Sequence, residues 1–259
     1  MSEEHKLYLK KIKKVNFLIR LSQILIITFI IIIWQLAADK GLINTFISSS
    51  PKNIINTIIK LYKDSTLFHH IGITFYEVII SFVLATSLGI LFASILWRYN
   101  FIFKVLDPYL TILNSMPKVS LGPIIIIIAG AGIKSIIIMA LFISVIITII
   151  NIHQSFISTD INKIRLLKSF NASKKDIFFK LILPSNYNNL INAFKVNIGL
   201  IFIGVIMGEF LVSKSGIGYL IMYGSQVFNL NLVMTGIIIL SVMASLMYYL
   251  IIIIEKKLK

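Results

Sequence analysis

The sequence predicts an all-α, polytopic membrane protein: six transmembrane helices, with a helix–turn–helix loop between the fourth and fifth. Three observations predict it. Hydrophobic residues fill 58% of the 259 positions, charged residues 14%, and mean hydropathy is +0.93. Soluble domains sit near roughly 45–50% apolar and about 25% charged. Apolar runs close to the ~20 residues needed to cross a bilayer recur along the chain. The longest well-charged interior segment, residues 163–184, lies between two of those runs. With no cysteine, a disulfide framework, a zinc–thiolate site and a thiol nucleophile are excluded.

Residues 1–20 are polar and basic (Lys6, Lys10, Lys11, Lys13, Lys14, Arg20) and read as a separate amino-terminal segment. Residues 21–38 form an uncharged, mainly apolar run of eighteen, longer than the roughly 7–15 residues of a signal peptide's apolar region, so they read as a retained first span. In residues 39–70, Ser50-Pro51 opens an amphipathic piece (Ile54, Ile55, Ile58, Ile59, Tyr62) expected to lie along the outer interface.

The second span covers residues 72–97. Its Ser81, Ala85, Gly89 and Ala93 recur every fourth residue, a small-residue stripe that lets membrane helices approach closely. A short basic loop, 98–104, leads into the third span, 105–130. Pro108, Pro117, Gly122 and Pro123 lie inside it, so it must be bent or broken. Non-helical backbone at that depth persists only where protein buries it or a wet cavity adjoins it. The fourth span is 136–152 and the fifth 190–212. An outer loop, 213–231, is expected to turn at Gly216 and Gly218. The sixth span is 232–254, and 255–259 form a basic tail. Residues 21–254 read as one transmembrane domain.

Six spans put both ends on one side. That side collects eighteen Lys and Arg and the other six, with Lys118 inside a span. The positive-inside rule then places both termini and the 163–184 loop in the cytoplasm. Most of the +15 net charge is therefore an orientation signal, and a nucleic-acid role is not indicated. Seven cations fall between Lys163 and Lys195 against one acid, Asp176. Asn171 tolerates a left-handed turn, so KIRLLKSF and SKKDIFFKLIL read as two short helices with a bend at Asn171, closed by Leu183-Pro184.

The loop resembles the cytoplasmic loop of bacterial ABC-importer permeases, written EAA-x3-G-x9-I-x-L-P. Aligned on Leu183-Pro184, the loop glycine falls on Asn171 and the I on Leu181, while the acid and two alanines fall on Arg165, Leu166 and Leu167. The segment GVIMGEFLVSKSGIGYLI (204–221) is similar to the one that follows in nitrate/sulfonate/taurine-type permeases, and NSMPKVSLGP (114–123) is similar to their broken third helix. The resemblance runs from about Pro51 to Leu220, with the docking loop at 160–184.

It implies a permease subunit of a binding-protein-dependent importer in the bacterial plasma membrane, carrying a small solute of the sulfonate, nitrate, taurine or thiamine-precursor class. It implies an extracytoplasmic binding protein, a second permease, usually identical, and a cytoplasmic ATPase that binds ATP and Mg. The ATPase would meet Leu166, Leu167, Phe170, Asn171 and Ala172, and Leu183-Pro184 would set the return into the fifth span. An acid at Glu77 departs from the family, which often has a basic residue there. One six-span chain is too small to enclose a path, and dimerisation through the small-residue faces is expected.

The chain has no GxxxxGK[ST], so ATP hydrolysis would belong to a partner. No catalytic arrangement or metal-ligating cluster of histidines is suggested. Glu209, deep in the fifth span, reads either as a pore or gating residue or as a partner for a nearby hydroxyl or amide. Gly204 and Gly208 beside it make a GxxxG face that reads as helix packing ahead of substrate contact. Lys118 reads as an anion-attracting path residue or one snorkelling to the boundary, with Asn114, Ser115 and Pro117 as further path candidates. The rival readings are an ion-coupled secondary carrier using Glu209, and a membrane assembly factor whose loop only recruits a partner.

Overall fold

The structure, a computed structural model, describes residues 3–258, and among them every regular element is helical. Helix α1 (Glu3–Asp39) joins the basic amino terminus and the first apolar run without a break. The boundary read from charge at residue 20 is therefore not a break in the helix. No glycine or proline interrupts the stretch, and nothing else there stops a helix. Its apolar side chains are exposed along nearly the whole length. It is tied near its end, where Gln35 accepts the Lys52 amide proton at 3.0 Å.

After the short α2 (Thr45–Ser48) comes α3 (Pro51–Lys63). Ser50 caps it by accepting from the Asn53 amide, and Pro51 sits where no intrahelical donor is needed. This is the amphipathic piece read from the isoleucines: Ile54 is buried and Ile58 packs on the main core, while Ile55, Ile59 and Tyr62 face outward.

Three long helices form the centre: α4 (Leu67–Arg98), α7 (Ile133–Ile157) and α11 (Tyr187–Val212). Ser81, Ala85, Gly89 and Ala93 are all buried along α4. Gly89 lies against Thr148, Gly204 against the Ala140 backbone, and a Cβ at Gly208 would stand 2.9 Å from the Ile136 Cα. Both small-residue faces thus close the contacts of α7 with its neighbours inside one chain. They are not free to join a second copy, which corrects the dimerisation surface read from the sequence.

The third span is broken. Helix α5 (Asn100–Ser115) ends at Met116, a 3-10 turn covers Lys118–Leu121, and α6 (Gly122–Ala129) leaves at 87°. Pro108 stays inside α5; the break falls at Met116, which the following proline pushes into extended backbone. Beyond α7 come α8 (Ile161–Ser169), α9 (Lys174–Ile177), a π turn at Phe178–Ile182 and α10 (Leu183–Ser185), leading into α11.

Residues 213–231 are more than the outer loop expected. They contain α12 (Ile217–Gln226), which buries Ile217, Leu220 and Ile221 against the core before α13 (Leu230–Leu258) closes the fold. Lys195 and Glu255 join α11 to α13 through a half-buried ion pair at 2.7 Å. Among the described residues five helices are long and apolar enough to cross a membrane, and six spans result if the bent α5–α6 pair is one.

The close approach at Gly204 makes a direct test. Gly204→Ala drives a methyl into the Ala140 backbone and should cost about 1–3 kcal/mol by overpacking. Gly199→Ala, where nothing lies within 4 Å, should leave stability unchanged or raised. Thermal unfolding midpoints in detergent check both.

Candidate functional site

Two sites emerge, one inside the helix bundle and one at the 161–186 loop. The first is built around Glu209 on α11, 1% exposed. Thr74 of α4 donates its hydroxyl proton to one Glu209 oxygen at 2.6 Å, and the Gly218 and Tyr219 amides donate to the other at 2.5 and 3.3 Å. The same Thr74 oxygen accepts from the Ile217 amide at 2.8 Å, and His70 Nδ1 accepts from the Gly216 amide at 3.0 Å. The first amides of α12 are thereby capped from other helices. A carboxylate at that position also meets the positive end of the helix dipole.

Gly216 makes the turn expected of it, with φ +108, and a side chain there would collide with the Glu209 carboxyl. Gly218 does not turn. It lies within the first turn of α12, where a Cβ would stand 2.7 Å from Glu209 Oε2, so the residue is small because the carboxylate is close. The Glu209 carboxyl is thus bonded to a hydroxyl and to backbone amides. Among the described residues, its hydrogen-bond partners come from α4 and the α12 turn.

Glu77 neighbours Glu209 on the α4 face that carries Thr74 and Ser81. It is fully buried, and its carboxyl meets that of Glu209 closely enough for the two to share a proton; among the described residues no other donor reaches its oxygens, and the Ser81 hydroxyl has no partner. Sequence reasoning noticed Glu77 and missed Thr74 and His70. The available signal was Ser215-Gly216 before an apolar run, a helix start whose amides would need acceptors.

Asn114, Ser115 and Pro117 lie on exposed backbone at the break of the third span. The Lys118 ammonium donates to the Asn114 carbonyl at 2.8 Å, capping the last turn of α5.

At the loop, Asp160 caps α8 by accepting from the Asn162 amide. Asn171 has φ +55, the Asn171 amide returns to the Lys168 carbonyl at 2.9 Å, and the Ala172 amide reaches Leu167 at 3.1 Å. That is the paired hydrogen-bond pattern of a left-handed helix stop, with Leu167 and Ala172 supplying the apolar contact that accompanies it. Ser173 caps α9 and also donates to Asp176. The Lys180 ammonium, 2.7 Å away, and then the Ser173 hydroxyl hold the Asp176 carboxyl down at about 2, so it stays ionised through the physiological range.

Leu183-Pro184 does not close the second helix. Pro184 offers no amide proton and its ring crowds the preceding turn, and a π turn opens instead, with the Leu183 amide reaching Phe178. The joint to α11 falls at Asn186, buried, which donates to the Ile182 carbonyl at 2.9 Å and to the Thr159 hydroxyl at 2.7 Å. Phe178 inserts between Trp97 of α4 and Phe156 of α7, with ring centroids 5.1 and 5.5 Å away.

Of the loop residues chosen from the sequence, Leu167, Ala172, Leu181 and Leu183 are half-buried. Arg165, Leu166, Phe170, Asn171 and Pro184 face outward, Leu166 and Phe170 at 57% and 74% exposure.

Two substitutions in the bundle should move stability in opposite directions. Thr74→Val leaves a Glu209 oxygen and the Ile217 amide unpaired and should cost at least about 2 kcal/mol. Glu77→Gln keeps the shape, removes one of two buried carboxyls and leaves amide protons to donate to Glu209, so it should be neutral or stabilising. Thermal unfolding of the purified variants checks the pair.

Comparison with known proteins accords with this architecture. Residues 85–259 match the family described as binding-protein-dependent transport system inner membrane component, reaching past Leu220 through the sixth span. A Bacillus subtilis permease protein named for aliphatic sulfonates transport is 26% identical over 88% of this chain and 83% of its own. The nitrate import permease protein NrtB of Synechococcus elongatus is 30% identical over 58% of this chain and 53% of its own. A solved chain of the MetNI methionine ABC transporter, in an inward-facing conformation, superposes with a TM-score of 0.68 at 15% identity, covering 76% of this chain and 98% of that one, which speaks to the fold alone. By sequence family and by fold, the chain belongs to the binding-protein-dependent transport system inner membrane components, the permease subunits of ABC transporters.

Proposed function

We propose that this permease forms half of a path for a small solute of the sulfonate, nitrate, taurine or thiamine-precursor class and is driven by a separate cytoplasmic ATPase docked on the 161–186 loop. ATP and Mg would bind in that partner, and an extracytoplasmic binding protein would deliver the solute. The observation that carries the reading is the pairing of Leu166 and Phe170, exposed on a basic loop, with Phe178, which anchors the same loop between α4 and α7. Large apolar side chains presented beside lysines suit a groove on another protein. The anchored ring gives movement at that surface a route into the spans.

Both termini and this loop are assigned to the cytoplasm of a plasma-membrane protein, as the cation distribution favours. A second permease, identical in the simplest case, would complete the path. Asn114, Ser115 and Pro117 support that reading, because one chain leaves these polar and irregular positions on an open surface. Glu209 is assigned to holding α12 instead of to a coupling ion, since its oxygens are occupied by local donors.

The test is purification of the tagged full chain from gently solubilised membranes, with co-purifying proteins identified. Wild type should bring a P-loop ATPase. Phe170→Asp should lose it by about tenfold or more, the scale of an interface anchor. Phe228→Asp, an equally exposed position at the turn before α13, should retain it. No ATPase with well-folded wild type, or equal recovery with Phe170→Asp, would sink the proposed coupling.

A further inference from the structure

A second surface lies beside the loop, where α4 ends. Ser94, Trp97, Arg98 and Tyr99 face Lys174, Lys175, Phe178 and Phe179 across a groove of about 260 Å³. Its floor is aromatic, the Trp97 and Phe178 rings tilted against each other. Its rim is cationic. Among the described residues, Arg98, Lys174 and Lys175 make no ion pair, and Arg98 only leans over the Tyr99 ring at 5.4 Å. Asp176, the acid nearest in sequence, is engaged by Lys180 and Ser173 and does not line the groove.

Two further features say what fits. The groove sits where an apolar span gives way to charge, with Trp97 and Tyr99 at the level where aromatic side chains mark the boundary of a bilayer. Below it, α4 continues with exposed Phe92 and Ile95, each about one helical turn from the next along the side that leads to Tyr99. A ligand that matches all of this is anionic at one end and apolar along its length.

We propose that the groove is a binding site for the headgroup of an anionic phospholipid, with the phosphate between Arg98, Lys174 and Lys175 and an acyl chain along Phe92 and Ile95. A lipid there bridges α4 and the second loop helix, the two elements that Phe178 already joins. Its lining does not include Leu166 or Phe170, the side chains proposed to meet the ATPase.

The experiment uses Trp97 as its own reporter. Trp34→Phe leaves it the sole tryptophan of the full chain, which is reconstituted in phosphatidylcholine vesicles. Brominated phosphatidylglycerol or brominated phosphatidylcholine is then added at equal mole fraction. Quenching should show about a tenfold preference for the anionic lipid, the scale of one or two cations at a membrane surface. The preference should vanish in Arg98→Gln/Lys174→Gln/Lys175→Gln and persist in Lys10→Gln/Lys13→Gln/Lys14→Gln, which removes the same charge from α1.

Unchanged quenching by brominated phosphatidylcholine in the groove variant would show that it remains folded and inserted. Equal quenching by both lipids in wild type would overturn the proposal and leave the groove to an acidic protein surface. Full competition by millimolar inorganic phosphate would overturn it in favour of a free anion. Equal loss in both triple variants would reduce it to bulk surface charge.

Discussion

The first amides of α12 enter the packed interior of the protein because three side chains from other helices receive them. A buried N–H without an acceptor costs free energy that the membrane interior does nothing to recover, and a helix start presents several at once. Glu209, Thr74 and His70 accept those protons from α11 and α4. Only with these bonds in place can Ile217, Leu220 and Ile221 seat against the core and set the approach of α13. The same bonds require Gly216 and Gly218, since a side chain at either position would occupy the carboxylate's space. An acid deep in an apolar helix is thus a fastening, and the sequence around it is shaped by its size.

The other end of the bundle is fastened differently, by rings and a buried amide. Phe178 between Trp97 and Phe156, and Asn186 between Ile182 and Thr159, bind the loop to the ends of α4 and α7. From there α11 runs through the bundle against α7, with Gly204 and Gly208 removing any gap between them. Close-packed interiors rearrange between discrete arrangements more readily than they deform. A displacement of the loop would therefore be carried to α7 and α11 as bodies.

Much of this was legible in the residues. The spans follow from apolar length, the α3 start from Ser50-Pro51, and the left-handed stop from an Asn between two basic amphipathic stretches. Other features were not, for identifiable reasons. The path of α1 through residue 20 was hidden because charge, which marks a membrane boundary, does not interrupt a helix. The π turn was hidden because proline in a sequence signals a stop, whereas here the preceding turn widens to accept it. Pro108 and Pro117 look alike on paper, yet only the second breaks its helix. The partners of Glu209 lie 135 and 9 positions away, on Thr74 and Gly218, and no local pattern joins such positions.

Burial separates two kinds of apolar surface that composition treats as one. The small-residue faces of α4 and α11 are closed within the chain, leaving no surface there for another subunit. Long exposed faces remain on α1, α4 and α13, which lipid alone would satisfy, and on the broken α5–α6 unit. On that unit Ile127 and Ile128 are more than three-quarters exposed, while Asn114 and Ser115 lie open at its break. Lipid suits the isoleucines and penalises the broken backbone with its polar side chains. A bent, partly polar surface of this kind is stable at membrane depth only against protein or water, so the third span is the part of the chain that most needs a neighbour.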